Sequence, residues 1–349
     1  MKRIDWIDNA KALAIILVVI GHAGIPVLIN SYILSFHMPL FFVVSGFLYN
    51  EDKYSSVPLI EYAKKRFKRL IVPYLWFSVA TVMLSTVIQY IVKGKLISLV
   101  YPILSILLCT NIKNSDMIES VLWFLPCIFV VELLFVSFRK FTKSNAITIV
   151  FVIMLSIISY ILSITIGHKI PFTIDIAFFA LLFYGIGFVL KKEALLFMSN
   201  ISDSKRKAIM VALIGFSISL LSVYMNSSNL LMYINQYGNY FWTIIGAFGG
   251  VITWLSISTM FTVNAVTLFF SKNSLLVFVI HLKILFISNR VIANFNNIIH
   301  ANGWVILVNS LLNALIVLLI LIPIIKIVDR YLPFLMGQKS NKIWLSKVN

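Results

Sequence analysis

Residues 8–49 read DNAKALAIILVVIGHAGIPVLINSYILSFHMPLFFVVSGFLY and decide how the chain folds. They predict an apolar helix that runs inward from Lys11 and carries His22, then a tight turn, then a second apolar segment that opens with His37 and Pro39. No other stretch of the chain combines so much hydrophobicity with so few, so regularly placed ionisable groups. The pattern therefore indicates a helical hairpin with reactive side chains in its interior.

The composition places most of the chain in lipid. Of the 349 residues, 60% are hydrophobic and only 12% are charged, whereas a soluble domain carries about 25% charged residues. The mean hydropathy is +0.99, and the apolar runs are continuous rather than alternating, which excludes a β-barrel. We therefore predict an all-α polytopic membrane protein with one transmembrane domain, residues 1–333, and a short basic tail, residues 334–349.

Ten apolar segments are long enough to cross a bilayer as helices. They cover residues 10–29, 33–50, 71–92, 121–138, 145–167, 172–190, 208–225, 240–264, 274–289 and 304–328. A further run, 96–111, is shorter and is broken by Pro102, so we expect it to be re-entrant or to lie at the outer interface. An eleventh crossing at this run is the alternative.

The net charge of +17 does not indicate a nucleic-acid partner, because the basic residues fall in short runs between apolar segments. With ten spans, most of the 29 lysine and arginine residues lie on the side of the two termini, as the positive-inside rule predicts. If 96–111 crossed, the clusters at 139–143 and 191–207 would face outward. We therefore expect the inner (plasma) membrane, both termini in the cytoplasm, and contacts with membrane lipid.

The spacing of Lys11 and His22 puts both on one face of the first helix. Eleven residues correspond to about 1100° of rotation, which is roughly 20° from alignment, and to a rise of about 16 Å. Lys11 is then expected near the cytoplasmic surface, one turn beyond Asp8, with which it can pair. His22 is expected near the bilayer midplane, where it must face the bundle interior and can accept a proton. A histidine that only hydrogen-bonds a neighbouring helix is the alternative.

Four further side chains in or beside predicted spans are candidates for binding. His37 precedes a proline, and His281 is a third histidine inside a span. Glu132 is an intramembrane carboxylate that needs a partner, and Trp123 belongs to the LWFLP segment, residues 122–126. A packed histidine, a kinked helix and an interfacial anchor are the alternative interpretations.

The run EYAKKRFKRLIVPY, residues 61–74, places a dense basic patch just before a span. Arg66 and Arg69 are three residues apart and share a helix face, with Lys65 beside them. Such a patch is most often a positive-inside anchor, but it also suits a phosphate-rich ligand that enters from the cytoplasm. The sequence contains no glycine-rich phosphate loop, no serine elbow and no metal-ligand spacing, so we expect no metal.

Six segments in order resemble the acyltransferase 3 family of membrane-bound O-acyltransferases, in particular its fucose 4-O-acetylase-like group. They are WIDNAKALAIILVVIGH (6–22), SFHMPLFFVVSGFLY (35–49), KKRFKRLIVPY (64–74), LWFLP (122–126), IDIAFFALLFYGIGFVL (174–190) and NSLLVFVIH (273–281). Lys11 stands where the family typically has an arginine, as is familiar in the sugar O-acetylase-like group. The resemblance covers nearly the whole chain.

The resemblance implies an acetyltransferase that uses acetyl-CoA from the cytoplasm and acetylates a hydroxyl of a surface polysaccharide or a lipid-linked sugar. It implies a catalytic set of His22 as general base with Lys11 and Asp8. Lys11, Arg66, Arg69 and Lys65 would bind the phosphates of CoA. The acceptor would be bound or oriented by His37, Trp123, Glu132 and His281. The oligomeric state stays open.

Two other functions compete with this enzyme. A non-enzymatic glycan exporter on the same scaffold needs a continuous polar path across the bilayer, and few intramembrane charges are present to line one. A purely structural scaffold leaves the histidines and Lys11 without a purpose.

Overall fold

The computed structural model describes residues 4–94, 98–110, 120–166, 170–226 and 228–337. The described residues are 85% helical and form no strand. The α-helices are α1 Asp5–His22, α2 Val27–Leu48, α3 Glu51–Ser55, α4 Leu59–Lys93, α5 Val100–Leu107, α6 Phe124–Phe141, α7 Asn145–Thr165, α8 Ile174–Val189, α9 Lys191–Ser202, α10 Lys205–Met225, α11 Tyr240–Ser258, α12 Ala265–Lys272, α13 Ser274–Ile298 and α14 Gly303–Tyr331.

The helices confirm the predicted fold class. Within the described residues, nine helices are long and apolar enough to cross a membrane: α2, α4, α6, α7, α8, α10, α11, α13 and α14. The remaining predicted span corresponds to α1, which has 18 residues but carries two acidic residues and Lys11 in its first half. Of the predicted basic tail, residues 338–349 lie outside the described residues.

The boundaries of the first two predicted spans were wrong. α1 ends at His22 rather than at residue 29, because Gly24 adopts a φ of +83° and Pro26 begins the next helix as its N-cap. α2 starts at Val27 rather than at residue 33 and continues through Pro39. The two histidines of this α1–α2 hairpin therefore lie at the end of one helix and in the middle of the next.

In the predicted run 96–111, the described residues 98–110 contain a short helix that is too short to cross the bilayer. Its eight residues, Val100–Leu107, extend about 12 Å, far less than the ~30 Å of a hydrocarbon core. The Tyr74 hydroxyl donates to the Ile106 carbonyl at 3.1 Å, and the Phe172 amide donates to the Leu108 carbonyl at 2.7 Å. The run is thus fastened to α4 and to the turn before α8.

The α1–α2 hairpin and α8 form the centre of the bundle. The apolar windows of α2 and α8 are each 67% buried, whereas those of α7 and α10 are 28% buried and face outward. α2 and α8 approach backbone to backbone, since a Cβ on Gly46 would overlap the Tyr184 carbonyl and one on Gly187 would overlap the Val43 carbonyl. Asn9, fully buried, donates to the carbonyls of Ser258 and Phe261 and ties α1 to the end of α11.

An ion-pair cluster joins the start of α3 to the end of α6. Arg139, only 3% exposed, donates from Nε and Nη2 to the two carboxylate oxygens of Glu51 at 2.8 and 2.9 Å. Lys143 Nζ lies 3.2 Å from the same carboxylate. Burial alone would raise the pKa of Glu51, but the hydrogen bonds from Arg139 and Lys143 outweigh it and lower that pKa.

We expect Glu51→Gln to destabilise the protein at neutral pH by about 1–3 kcal/mol, because it leaves the buried Arg139 charge without its carboxylate. The pKa of Glu51 is lower in the folded state than in the unfolded state. Its stabilisation is therefore complete above the ordinary glutamate pKa of about 4.3 and is lost as the pH falls through the lowered value. Thermal unfolding at several pH values measures both effects.

The matched control for this prediction is Glu193→Gln, since Glu193 is an exposed carboxylate in the first turn of α9. Its melting temperature should stay close to that of the wild type at every pH. Equal melting temperatures for Glu51→Gln and the wild type at pH 7 would contradict the assigned role of the cluster.

Candidate active site

The end of the bundle at which α1 begins is called the basic end. A cavity of about 310 Å³ opens there among the ends of the helices. Its lining carries four cationic side chains, Lys11, Arg66, Arg69 and Lys272, and one carboxylate, Glu132. We call it the cationic cavity. The excess of positive charge suits an anionic ligand.

Glu132 finds its partner in Arg66 across the cavity wall. Arg66 donates from Nε and Nη2 to the two oxygens of Glu132, so that the pair is bidentate. The Glu132 side chain is 5% exposed and that of Arg66 is 18% exposed. Within the described residues Arg69 makes no ion pair, so its guanidinium remains available for a ligand.

Three buried tyrosines add neutral donors to the cationic cavity. Tyr49, Tyr62 and Tyr184 are 6%, 3% and 1% exposed, and all three line the cavity. Their hydroxyls make no hydrogen bond to any other described residue. Buried tyrosine hydroxyls usually find a partner, and here the space in front of them is the cavity itself.

A second cavity, of about 290 Å³, lies around His22 and His37. We call it the histidine cavity. Trp123 and Asn30 also line it, and residues 230–233, in the connection between α10 and α11, close it on the side away from the basic end. The α1–α2 hairpin and this connection, which lies at the end of the bundle opposite the basic end, therefore both contribute to the lining of the histidine cavity.

His22 lies well inside the bundle although it ends its helix. Its carbonyl accepts a hydrogen bond from Asn289 Nδ2 at 2.8 Å, and Asn289 is past the midpoint of α13. The following turn is held by Ser310 of α14, whose hydroxyl donates to the Gly24 carbonyl at 2.9 Å. The fixed turn gives the His22 ring a defined position at the cavity.

The other two histidines flank His22. The His37 ring is bonded through Nδ1 to the Ile33 carbonyl at 2.8 Å, and the His281 ring through Nδ1 to the Val277 carbonyl at 3.0 Å. The ring centroids of His22 and His281 are 5.4 Å apart. The rings of His22 and His281 are therefore neighbours, and His37 lines the same cavity as His22. Among the described residues, however, no group of three or more histidine, cysteine or acidic residues could hold a metal ion.

The two cavities lie end to end along the same helices. α1 contributes Lys11 to the cationic cavity and His22 to the histidine cavity, and the antiparallel α2 contributes Ser45 to the first and His37 to the second. Phe278 lines both cavities. Its ring centroid is 5.2 Å from that of Phe124, which in turn is 5.9 Å from that of Phe41. These three rings form an aromatic wall between the cavities.

Two predicted site residues lie away from His22 and outside both linings. Asp8 is at the basic end, where its carboxylate accepts a hydrogen bond from the Ser271 hydroxyl at 2.6 Å. Lys65 is exposed, with its amine 5.9 Å from the ring of Tyr54 at the rim of the cationic cavity. Glu132 lies in the cationic cavity rather than in the histidine cavity.

The sequence reasoning missed several lining residues. In the sequence Lys272 reads only as a loop charge, Tyr62 only as part of the basic run 61–74, and Tyr184 and Phe278 only as residues of apolar spans. Phe278 lies three residues before His281, and this spacing alone places the two side chains on one face of a helix.

The chain matches one protein-family model. The model of the acyltransferase 3 family, described as an acyltransferase domain, matches residues 4–327. No curated protein and no solved structure matches the chain.

Proposed function

Because this chain belongs to the acyltransferase 3 family and is a membrane acyltransferase, we propose that it acetylates a hydroxyl of a surface polysaccharide or lipid-linked sugar from acetyl-CoA, as in the fucose 4-O-acetylase-like group. The observation that carries the proposal is the alignment of a cationic cavity and a histidine cavity along α1. Lys11 and His22 are separated by about 16 Å of helix. That distance suits a donor with phosphates at one end and a thioester at the other.

The donor end is supported by the charges and donors of the cationic cavity. The phosphates of CoA would meet Arg69, Lys11 and Lys272, with the fork of Arg66 held in place by Glu132. Lys65 would add charge at the rim. The tyrosine hydroxyls would donate to phosphate oxygens, and the thin pantetheine arm would pass the aromatic wall to reach the histidine cavity.

The chemistry assigned to His22 is general-base catalysis. Its ring accepts the proton of the acceptor hydroxyl while the oxygen attacks the thioester carbonyl carbon. The C–O bond forms, the C–S bond breaks, and the CoA thiolate leaves. The proton on the imidazolium then passes to the thiolate, so that free CoA and the neutral histidine are restored.

The acceptor would approach from the side opposite the donor. The charge distribution along the chain favours the inner membrane with both termini, and hence the basic end, in the cytoplasm, where acetyl-CoA is made. Residues 230–233 then cover the histidine cavity on the outer side. His37 and Trp123 line this cavity and would orient a sugar. The aromatic ring suits the apolar C–H face of a sugar, and the ring nitrogen suits its hydroxyl groups.

Two measurements test the proposal. The purified protein in lipid nanodiscs should bind acetyl-CoA in isothermal titration calorimetry. Deleting the gene should remove base-releasable acetate from the surface polysaccharides of the producing cells, and a plasmid copy should restore it. An unchanged acetate content, or no binding of acetyl-CoA, would overturn the proposal, and loss of surface glycan itself without acetyl-CoA binding would favour the exporter.

A further inference from the structure

His281 is a buried histidine with an unused nitrogen beside His22. Its side chain is completely inaccessible to solvent, and its Nε2 has no hydrogen-bond partner among the described residues. Unlike His37, it does not line the histidine cavity. A ligand in that cavity therefore cannot be its direct partner, and a buried polar atom of this kind calls for an explanation.

The hydrogen bond to Val277 fixes which nitrogen of His281 carries the proton. A carbonyl oxygen can only accept, so Nδ1, 3.0 Å from the Val277 carbonyl, must be the donor. In a neutral imidazole Nε2 then holds a lone pair and is an acceptor. The neutral form is expected here because the site is fully buried and no carboxylate of the described residues contacts the ring.

Only one ring next to His281 has a donor to offer. Among the described residues its ring contacts are with Phe278, at 6.1 Å between centroids, and with His22, at 5.4 Å. Phenylalanine has no N–H, whereas a neutral His22 has one N–H and one lone pair. The His22 ring makes no hydrogen bond to the described residues and borders open space, so a small rotation brings its N–H to a hydrogen-bonding distance of about 3 Å.

We propose that His281 is a positioning residue whose Nε2 accepts the N–H of His22. This contact selects one tautomer of His22, turns its lone pair into the histidine cavity, and stabilises the imidazolium that forms during transfer. No proton passes to His281. The arrangement corresponds to the carboxylate that orients the histidine of a catalytic triad, with a neutral ring in its place. The assignment rests on the proposed role of His22 as the base.

The direct test is the tautomer of His22, observed by long-range ¹H–¹⁵N NMR of protein labelled at its five histidines in nanodiscs. The His22 signals are identified by their loss in His22→Asn. In the wild type we expect a single His22 tautomer. In His281→Leu we expect a mixture of the two tautomers, and in His37→Leu, the matched control, the single tautomer should persist.

The conservative variant His281→Gln distinguishes the loss of the proposed hydrogen bond from a general folding defect. His281→Gln is close in size and offers a carbonyl oxygen as acceptor, so the single tautomer should be retained. An unchanged His22 spectrum in His281→Leu, or a change in His37→Leu instead, would overturn the proposal. This readout does not depend on any activity, so it can fail or succeed independently of the proposed acetyltransferase function.

Turnover of acetyl-CoA supplies a second readout. His281→Leu should lower kcat by about tenfold to a hundredfold with KM for acetyl-CoA unchanged, because the cationic cavity is untouched, and His281→Gln should recover part of the loss. A rise in KM with an unchanged kcat would contradict a role in positioning the base.

Discussion

We expect the replacement of His22 by asparagine to lower the proposed acetyl transfer by about 10²–10⁴-fold, the usual contribution of a general base. The amide cannot accept a proton from a hydroxyl at neutral pH, while it remains polar and is smaller than the imidazole, so it introduces no steric clash. Residual turnover should come from binding alone. The measurement is the release of CoA from acetyl-CoA by the protein in nanodiscs, together with base-releasable acetate on the glycans of complemented deletion cells.

Donor binding separates loss of chemistry from loss of structure in this variant. His22 lines the histidine cavity, whereas the residues proposed to bind the phosphates line the cationic cavity, so the Kd for acetyl-CoA should change by less than about twofold. His300→Asn is the matched control, because His300 has a φ of +48°, which asparagine tolerates, and it lies in a loop away from both cavities. Normal acetylation by His22→Asn would refute the assignment of the base.

Helical periodicity accounts for the part of the site that lies on α1. Lys11 and His22 were placed on one face from their spacing alone, and the structure directs both toward one line of cavities. The ends of the helix were less predictable. The apolar pattern runs on through Ile25 and Val27, and only the backbone conformation of Gly24 stops α1 at His22.

Contacts between distant helices could not be predicted from one sequence. A partner for Glu132 was required by the cost of burying a carboxylate, but several basic residues qualified. The choice of Arg66 depends on how α4 packs against α6. The same holds for Tyr184, which reads as one apolar residue among many in its segment and proves to bring a hydroxyl to the cationic cavity.

For the basic run in the first half of α4, counting charges does not show which side chains line the cationic cavity. Lys64, Lys65, Arg66 and Arg69 are equivalent as positive-inside charges. In the folded chain Arg66 and Arg69 line the cationic cavity, whereas Lys64 and Lys65 do not. The direction in which each side chain points, which depends on how α4 packs against α6, therefore divides the run into residues that line the cavity and residues that do not.

Arg69→Gln should weaken the binding of acetyl-CoA by about 10–100-fold, because a hydrogen bond to a charged group contributes about 1.5–3 kcal/mol. Arg69 makes no ion pair among the described residues, so its loss leaves no buried carboxylate uncompensated and the fold should be retained. The loss should appear in Kd and KM, with kcat at saturating acetyl-CoA nearly unchanged, since Arg69 does not touch the reacting atoms.

Lys64→Gln is the matched control for Arg69→Gln, because Lys64 belongs to the same basic run and is exposed outside the cavity lining. It removes the same formal charge, and a distant exposed charge is largely screened at 0.15 M salt, where the Debye length is about 8 Å. Its Kd should therefore stay within about twofold of the wild type. Equal losses in the two variants would mean that general surface charge, and not a phosphate site at Arg69, attracts the donor. A loss of kcat at an unchanged Kd in Arg69→Gln would indicate that Arg69 acts in the chemical step and not in donor binding.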